Sequence, residues 1–84
     1  METIKAVIVD DEKNNRLALL KLIEKFCPQV QVIAECDSVD STIEIIEKAP
    51  ADVIFLDVEM PGKNGLDLLA HYNYQCPFGI IFTT

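Results

Sequence analysis

Apolar residues follow two patterns along this chain, short runs typical of strands and longer stretches with helical spacing. Residues 4–9, 53–56 and 80–84 are the runs, and the second reads as a strand buried on both faces. Residues 29–35 instead alternate, with Val30, Val32 and Ala34 on one side. Alternation leaves one face partly covered, so this segment is predicted to be an edge strand.

The stretches between the predicted strands read as three helices. Residues 12–26 begin beside acidic side chains, Asp11 or Glu12, that suit a helix start, and residues 39–49 follow the predicted cap Ser38. A third, short helix is predicted over residues 66–72. The inward positions of the three helices are Leu17, Leu20, Ile23 and Phe26 in the first, Val39, Ile43 and Ile46 in the second, and Leu66, Leu69 and Ala70 in the third.

Strands and helices therefore alternate through the whole chain. This order predicts an α/β fold with a parallel sheet and right-handed crossovers, in one domain. An 84-residue domain buries only about 60–70% of its unfolded surface, so its stability is expected to be small.

Composition narrows the possible functions. The net charge of −7 argues against direct binding to nucleic acid or to an anionic membrane. The chain shows neither a signal peptide nor an apolar run of the roughly 18 residues that a membrane span needs, which predicts a cytoplasmic protein. Cys27, Cys36 and Cys76 form no close pair and are expected to be reduced.

Acidic residues end two of the predicted strands. Asp10 and Asp11 follow the first strand, and Asp57 follows the third. If these strands are neighbours, the three carboxylates converge where ligands of parallel sheets bind. Each aspartate alone is also explained as a helix cap or a turn former. A cluster of three must keep a proton or recruit a cation, and all-oxygen ligands favour Mg²⁺.

Longer motifs surround these aspartates. Val-Asp-Asp-Glu ends at Glu12, Phe-Leu-Asp-Val-Glu-Met-Pro-Gly-Lys-Asn-Gly ends at Gly65, and Ile-Ile-Phe-Thr-Thr ends at Thr84. In order and spacing these motifs resemble those of the receiver domain of bacterial two-component response regulators. The residues of the last two motifs are similar to those in regulators that carry a LytTR-type DNA-binding domain.

The resemblance implies a fold, a function and a site. The fold is a flavodoxin-like, three-layer αβα sheet with strand order 2-1-3-4. The function is a phosphoacceptor signalling domain, not an enzyme, that takes phosphate from a sensor histidine kinase onto Asp57 with Mg²⁺. Asp11, Asp57 and the main-chain carbonyl of Glu59 would bind the metal directly, and Asp10 through water. Thr84, with Thr83 as the alternative, would supply a hydroxyl.

An alternative reading is a Mg²⁺-dependent phosphohydrolase with an aspartate nucleophile. Such enzymes usually carry a second catalytic aspartate two residues after the first, where this chain has Glu59, which disfavours the alternative.

Receiver domains are longer than this chain. Residues 1–84 are expected to be a truncated receiver domain that lacks the fifth strand, with its lysine, and the last two helices. Without that lysine, acetyl phosphate with Mg²⁺ is expected to modify Asp57 of residues 1–84 slowly or undetectably. DNA binding would belong to an output domain. With the fourth strand as an open edge, and Val7 and Val9 expected to face solvent, a homodimer or larger assembly is predicted.

Overall fold

A parallel sheet with helices on both faces forms from residues 2–83, which the computed structural model describes. The elements are β1 (Ile4–Val9), α1 (Lys13–Phe26), β2 (Val30–Cys36), α2 (Val39–Lys48), β3 (Val53–Leu56), α3 (Gly65–His71) and β4 (Gly79–Phe82). The strand order is β2-β1-β3-β4, and every neighbouring pair is parallel. The predicted fold class and strand order are confirmed, with β2 at an edge.

The two faces of the sheet are covered unequally. The main core joins β1 and β3 to α2 and α3, and it includes Val7, Val9, Ile54, Leu56, Val39, Ile46 and Leu68. Val7 and Val9 are 0% exposed, so the expectation that they face solvent is wrong. Side chains alternate across a strand, and these two valines point toward α2 and α3.

Helix α1 lies against the opposite face of the sheet. Ile8 points to this side, where it lines a cavity together with Ala18, Leu19 and Leu22 of α1. Phe55, which pairs with Ile8 in the β1–β3 register, is only half-buried. The prediction that β3 is buried on both faces is therefore wrong for the α1 face.

The register between β1 and β2 contains an irregularity. Ala6 pairs with Val32 and Val7 with Ala34, so β2 has one additional residue, Ile33, at this point. Such a bulge interrupts the alternation of side chains. As a result Ile33 and Ala34 both pack against the main core, and the simple alternation predicted for residues 29–35 is wrong here.

The helices begin in three different ways. Ser38 caps α2 as predicted, accepting a hydrogen bond from the Ser41 amide at 3.1 Å. α3 begins with a capping box in which Asn64 and Asp67 bond each other's backbone amides. Glu12 stands at the start of α1 without a side-chain cap bond, so the predicted capping role of Asp11 or Glu12 is not observed.

The segment from α3 to β4 differs from the prediction in detail. Leu68 is the buried leucine of α3, whereas Leu66 is 51% exposed and Ala70 is also exposed. β4 begins at Gly79, whose amide donates to the Asp52 carbonyl, and it ends at Phe82. Thr84, the predicted hydroxyl residue, lies outside the described residues.

Candidate functional site

The end of β1 places Asp10 inside the protein. Its amide donates to the Cys36 carbonyl at 3.0 Å, which continues the pairing of β1 with β2. Its Oδ1 accepts a hydrogen bond from the Glu12 amide at 2.9 Å, so Asp10 shapes the turn into α1. The Asp10 side chain is buried, and Asp11 beside it is exposed.

The end of β3 places Asp57 next to β1. The Asp57 amide donates to the Val9 carbonyl at 2.9 Å, so the two strands remain paired up to the acidic residues. Asp57 Oδ1 accepts a hydrogen bond from the Glu59 amide at 3.0 Å. Asp57 is only 4% exposed, whereas Glu59 is exposed. A carboxylate this buried needs compensating partners or a counter-ion.

The structure brings the three predicted aspartates together. One carboxylate oxygen from each of Asp10, Asp11 and Asp57 lies within 4.8 Å of the others. Two unit charges at about 4 Å repel by about 4 kcal/mol at an effective dielectric of 20. An all-carboxylate donor set with one exposed member suits Mg²⁺, which prefers oxygen ligands and retains several waters. These residues therefore fit the predicted metal.

The loop after β3 is held close to the cluster. The Gly65 amide donates to the Val58 carbonyl at 3.0 Å, and a Cβ built on Gly65 would lie 2.8 Å from the Asp57 carbonyl oxygen. Lys63 Nζ donates to Asp40 Oδ1 at 2.8 Å, which ties the loop to α2 and raises the pKa of Lys63. The loop after β3 is thus anchored at Lys63 and at Gly65.

The end of β4 reaches the same edge of the sheet. The Thr83 amide donates to the Leu56 carbonyl at 3.0 Å, so the β3–β4 pairing extends one residue beyond the strand. Thr83 and Asp10 both line the cavity of about 320 Å³ beside α1. Thr83 therefore lies on the α1 side of the cluster, and the role predicted for Thr84 stays a prediction.

Arg16 is a residue of this region that the sequence analysis did not identify. Its Nη1 donates to the main-chain oxygen of Asp10 at 2.7 Å, and its side chain is only 16% exposed. Its Nε lies 3.5 Å from Glu35 Oε1 on β2. The sequence feature that could have identified Arg16 is its place in the first turns of a helix that starts beside three carboxylates.

Together the fold and the site define a class, a doubly wound α/β domain with an acidic cleft at the carboxyl ends of its central strands. The family model for the response regulator receiver domain matches residues 6–84, and the chain belongs to this family. The chain is therefore a receiver domain of a two-component response regulator, which is a signalling domain.

Individual relatives agree with this assignment. The chain is 36% identical over 81 residues to a protein-glutamate methylesterase/protein-glutamine glutaminase of Oleidesulfovibrio alaskensis, with 96% of the chain and 22% of the relative covered. It is 34% identical over 65 residues to the sensory transduction protein LytT of Bacillus anthracis, with 77% and 26% covered.

A solved structure shows the same fold. The response regulator domain of Thermotoga maritima CheB superimposes with a TM-score of 0.85 at 27% identity, covering 96% of this chain and 60% of that domain. The chain thus spans about a quarter of the two relatives above and 60% of this domain. Within residues 2–83, the helices are too short or too polar to cross a membrane.

Proposed function

We propose that Asp57 accepts a phosphoryl group from a phosphohistidine of a sensor histidine kinase. The observation that carries this proposal is the burial of Asp57 at the end of β3, within 4.8 Å of the carboxylates of Asp10 and Asp11. A carboxylate oxygen of Asp57 forms a bond to phosphorus while the bond from phosphorus to the histidine nitrogen breaks. The electron pair stays on the imidazole, which takes up a proton, and Asp57 becomes an acyl phosphate.

The acidic cluster would hold Mg²⁺, which supplies charge compensation for the transferred phosphoryl group. Asp11 and Asp57 would be direct ligands with the main-chain carbonyl of Glu59, and Asp10 would act through water. The Glu59 amide orients Asp57 by its hydrogen bond to Oδ1. Thr84 would bind a phosphoryl oxygen, which the pairing of Thr83 with Leu56 at the end of β3 supports.

A phosphate-transfer assay separates this function from a phosphohydrolase. A receiver takes up a single phosphoryl group per chain, whereas a hydrolase releases many product molecules per chain. With excess acetyl phosphate or a chromogenic phosphate ester and Mg²⁺, we expect incorporation to stop at one group per chain. Linear release of the chromophore over many equivalents would instead establish the enzyme. The position two residues after Asp57 is Glu59, an exposed side chain, which favours the receiver.

The metal site is tested by removing its exposed member. Asp11→Ala is expected to lower the affinity for Mg²⁺ by about tenfold or more, because a lost carboxylate contact of about 1.4 kcal/mol corresponds to a factor of ten. Isothermal titration measures it. Glu12→Gln removes a charge one residue away and is the control, with an affinity near that of the wild type. Equal affinities in all three proteins would place the metal elsewhere.

We also propose where the domain acts and which function belongs to the rest of the protein. The domain would act in the cytoplasm, where thiols stay reduced, and Cys27, Cys36 and Cys76 are all free. DNA binding would belong to an output domain, because this domain carries a net charge of −7. The similarity to LytT supports a LytTR-type output. The domain would carry no enzymatic activity and would not bind a membrane.

We further propose that two copies of the polypeptide of residues 1–84 associate through β4. This strand lies at an edge of the described sheet, and Ile81 and Phe82 are each 48% exposed. Apolar edge strands favour pairing with another chain. Light scattering over a range of concentrations is expected to show a dimer or larger assembly, and Ile81→Lys is expected to shift it toward the monomer. A constant monomer mass at tens of micromolar would contradict the proposal.

A further inference from the structure

The side chain of Arg16 connects α1 to both neighbouring strands at the acidic end of the sheet. Its Nη1 donates to the Asp10 carbonyl at 2.7 Å, and the Asp10 carboxylate in turn accepts from the Glu12 amide at 2.9 Å. The guanidinium is therefore bound to a residue of the carboxylate cluster itself, through a charge-assisted hydrogen bond.

The only acidic side chain in salt-bridge distance of Arg16 among the described residues is Glu35, and this contact is weak. The Nε of Arg16 lies 3.5 Å from Glu35 Oε1 and makes no hydrogen bond among the described residues, although this atom is buried. The Glu35 side chain is 39% exposed, so solvent screens its charge, whereas that of Arg16 is 16% exposed. Glu35 thus leaves much of the positive charge of Arg16 unneutralised, at a guanidinium that lies 2.7 Å from the backbone oxygen of Asp10.

We propose that Arg16 is the resident counter-charge of the acidic cluster when no metal is bound, and a positioning residue for the turn that carries Asp10 and Asp11. This inference rests on the proposed metal site. A fixed cation near the cluster stabilises the metal-free carboxylates and opposes the entry of a divalent cation. Arg16 therefore lowers the affinity for Mg²⁺ and makes folding less dependent on the metal.

The charge and the hydrogen bond of Arg16 act in opposite directions on metal binding. Losing the bond to the Asp10 carbonyl would loosen the turn and weaken binding. The turn keeps two other bonds, however, from the Asp10 amide to the Cys36 carbonyl and from the Glu12 amide to Asp10 Oδ1. We therefore expect the effect of the charge to dominate.

Three substitutions separate these effects. Arg16→Met removes the charge and keeps most of the volume, and it is expected to bind Mg²⁺ roughly three- to tenfold more tightly than the wild type. Arg16→Lys keeps the charge and loses the planar fork, so its affinity should equal that of the wild type or fall below it. Glu35→Gln removes an anion that solvent already screens, so its Mg²⁺ affinity should stay near that of the wild type and it serves as the control.

Two measurements decide the inference, Mg²⁺ titration and urea unfolding in EDTA or in saturating Mg²⁺. We expect the unfolding midpoint of Arg16→Met to fall in EDTA and to recover toward the wild type in Mg²⁺. If the unfolding midpoint of Arg16→Met falls equally in EDTA and in Mg²⁺ and its Mg²⁺ affinity is unchanged, Arg16 has only a structural role and the inference is overturned. If Arg16→Met does not fold, Arg16→Gln removes the same charge, and a Mg²⁺ affinity of Arg16→Gln equal to or weaker than that of the wild type overturns the inference.

The two proposals fail in distinguishable ways. If Mg²⁺ does not stabilise the wild type, and Asp11→Ala behaves like the wild type, the proposed metal site is wrong. The inference about Arg16 then fails with it. If the wild type binds Mg²⁺ and Asp11→Ala loses affinity, the metal site stands, and the Arg16 variants then decide the role of Arg16 alone.

Discussion

Asp57→Asn is expected to abolish covalent phosphorylation of this domain. Asparagine preserves the shape of the side chain, but a neutral amide is a far weaker nucleophile than a carboxylate and cannot form the acyl phosphate. Wild-type protein incubated for a long time with acetyl phosphate and Mg²⁺ should slowly gain the mass of one phosphoryl group, and hydroxylamine should remove it. The variant should show no mass change under the same conditions, even after long incubation.

Glu59→Gln is the matched control for this experiment. Glu59 is exposed, and its predicted contribution is a main-chain carbonyl, which the substitution leaves in place. Its amide, which donates to Asp57 Oδ1, is also retained. We expect labelling of this variant at a rate near that of the wild type. Labelling of Asp57→Asn at the wild-type rate would show that another residue accepts the phosphoryl group.

Gly65→Ala is expected to have the second large effect, on both stability and the site. A Cβ at this position would lie 2.8 Å from the Asp57 carbonyl oxygen and 3.0 Å from the Val58 Cα, and both are backbone atoms. Backbone cannot yield as a flexible side chain can, so α3 and the end of β3 must separate. Overpacking of this kind costs about 1–3 kcal/mol of folding free energy. Urea unfolding measures the loss.

Gly79→Ala tests whether the effect of Gly65→Ala is specific. A Cβ on Gly79 would lie 3.6 Å from the Asp52 carbonyl oxygen, which is ordinary van der Waals contact. This variant should unfold close to the wild type and keep its Mg²⁺ affinity, whereas Gly65→Ala should lose affinity because Asp57 is displaced. Similar unfolding midpoints for the two variants would show that the α3–β3 contact has room to adjust.

The sequence predicts the frame of this fold because its strands and helix caps carry strong local signals. The apolar run 53–56 coincides with β3, and Ser38 caps α2 as expected. The meeting of Asp10, Asp11 and Asp57 follows from topology alone, because parallel strands that neighbour each other end at the same edge of the sheet. The distance between the carboxylates and the burial of Asp10 and Asp57 required the structure.

Other features could not be predicted from the sequence because they depend on tertiary packing. β1 is apolar on both sides, so the sequence does not indicate which side Val7 and Val9 face. Three leucines in the seven residues of α3 fit several helical faces, and packing selects Leu68. Nothing local marks the additional residue Ile33 in β2 either, because a bulge is defined by the partner strand.

Arg16 illustrates a second limit, which concerns charged residues. Asp10 ends a strand and Arg16 lies in the first turns of the next helix. This spacing is equally compatible with an Arg16 side chain that points into solvent. The bond from Nη1 to the Asp10 carbonyl depends on how α1 packs across the end of β1. Sequence patterns locate carboxylate clusters through topology but do not locate the cations that compensate them.

The pairing of β1 with its neighbours up to the acidic residues has a consequence for hydrogen exchange. The Asp10 amide bonds the Cys36 carbonyl and the Asp57 amide bonds the Val9 carbonyl, so both protons belong to the central ladder of the sheet. Such protons exchange only when the ladder opens, which in a small cooperative domain approaches complete unfolding. We therefore expect the Asp57 amide to exchange as slowly as the most protected amides of the domain, and motions of this region would arise in the surrounding loops.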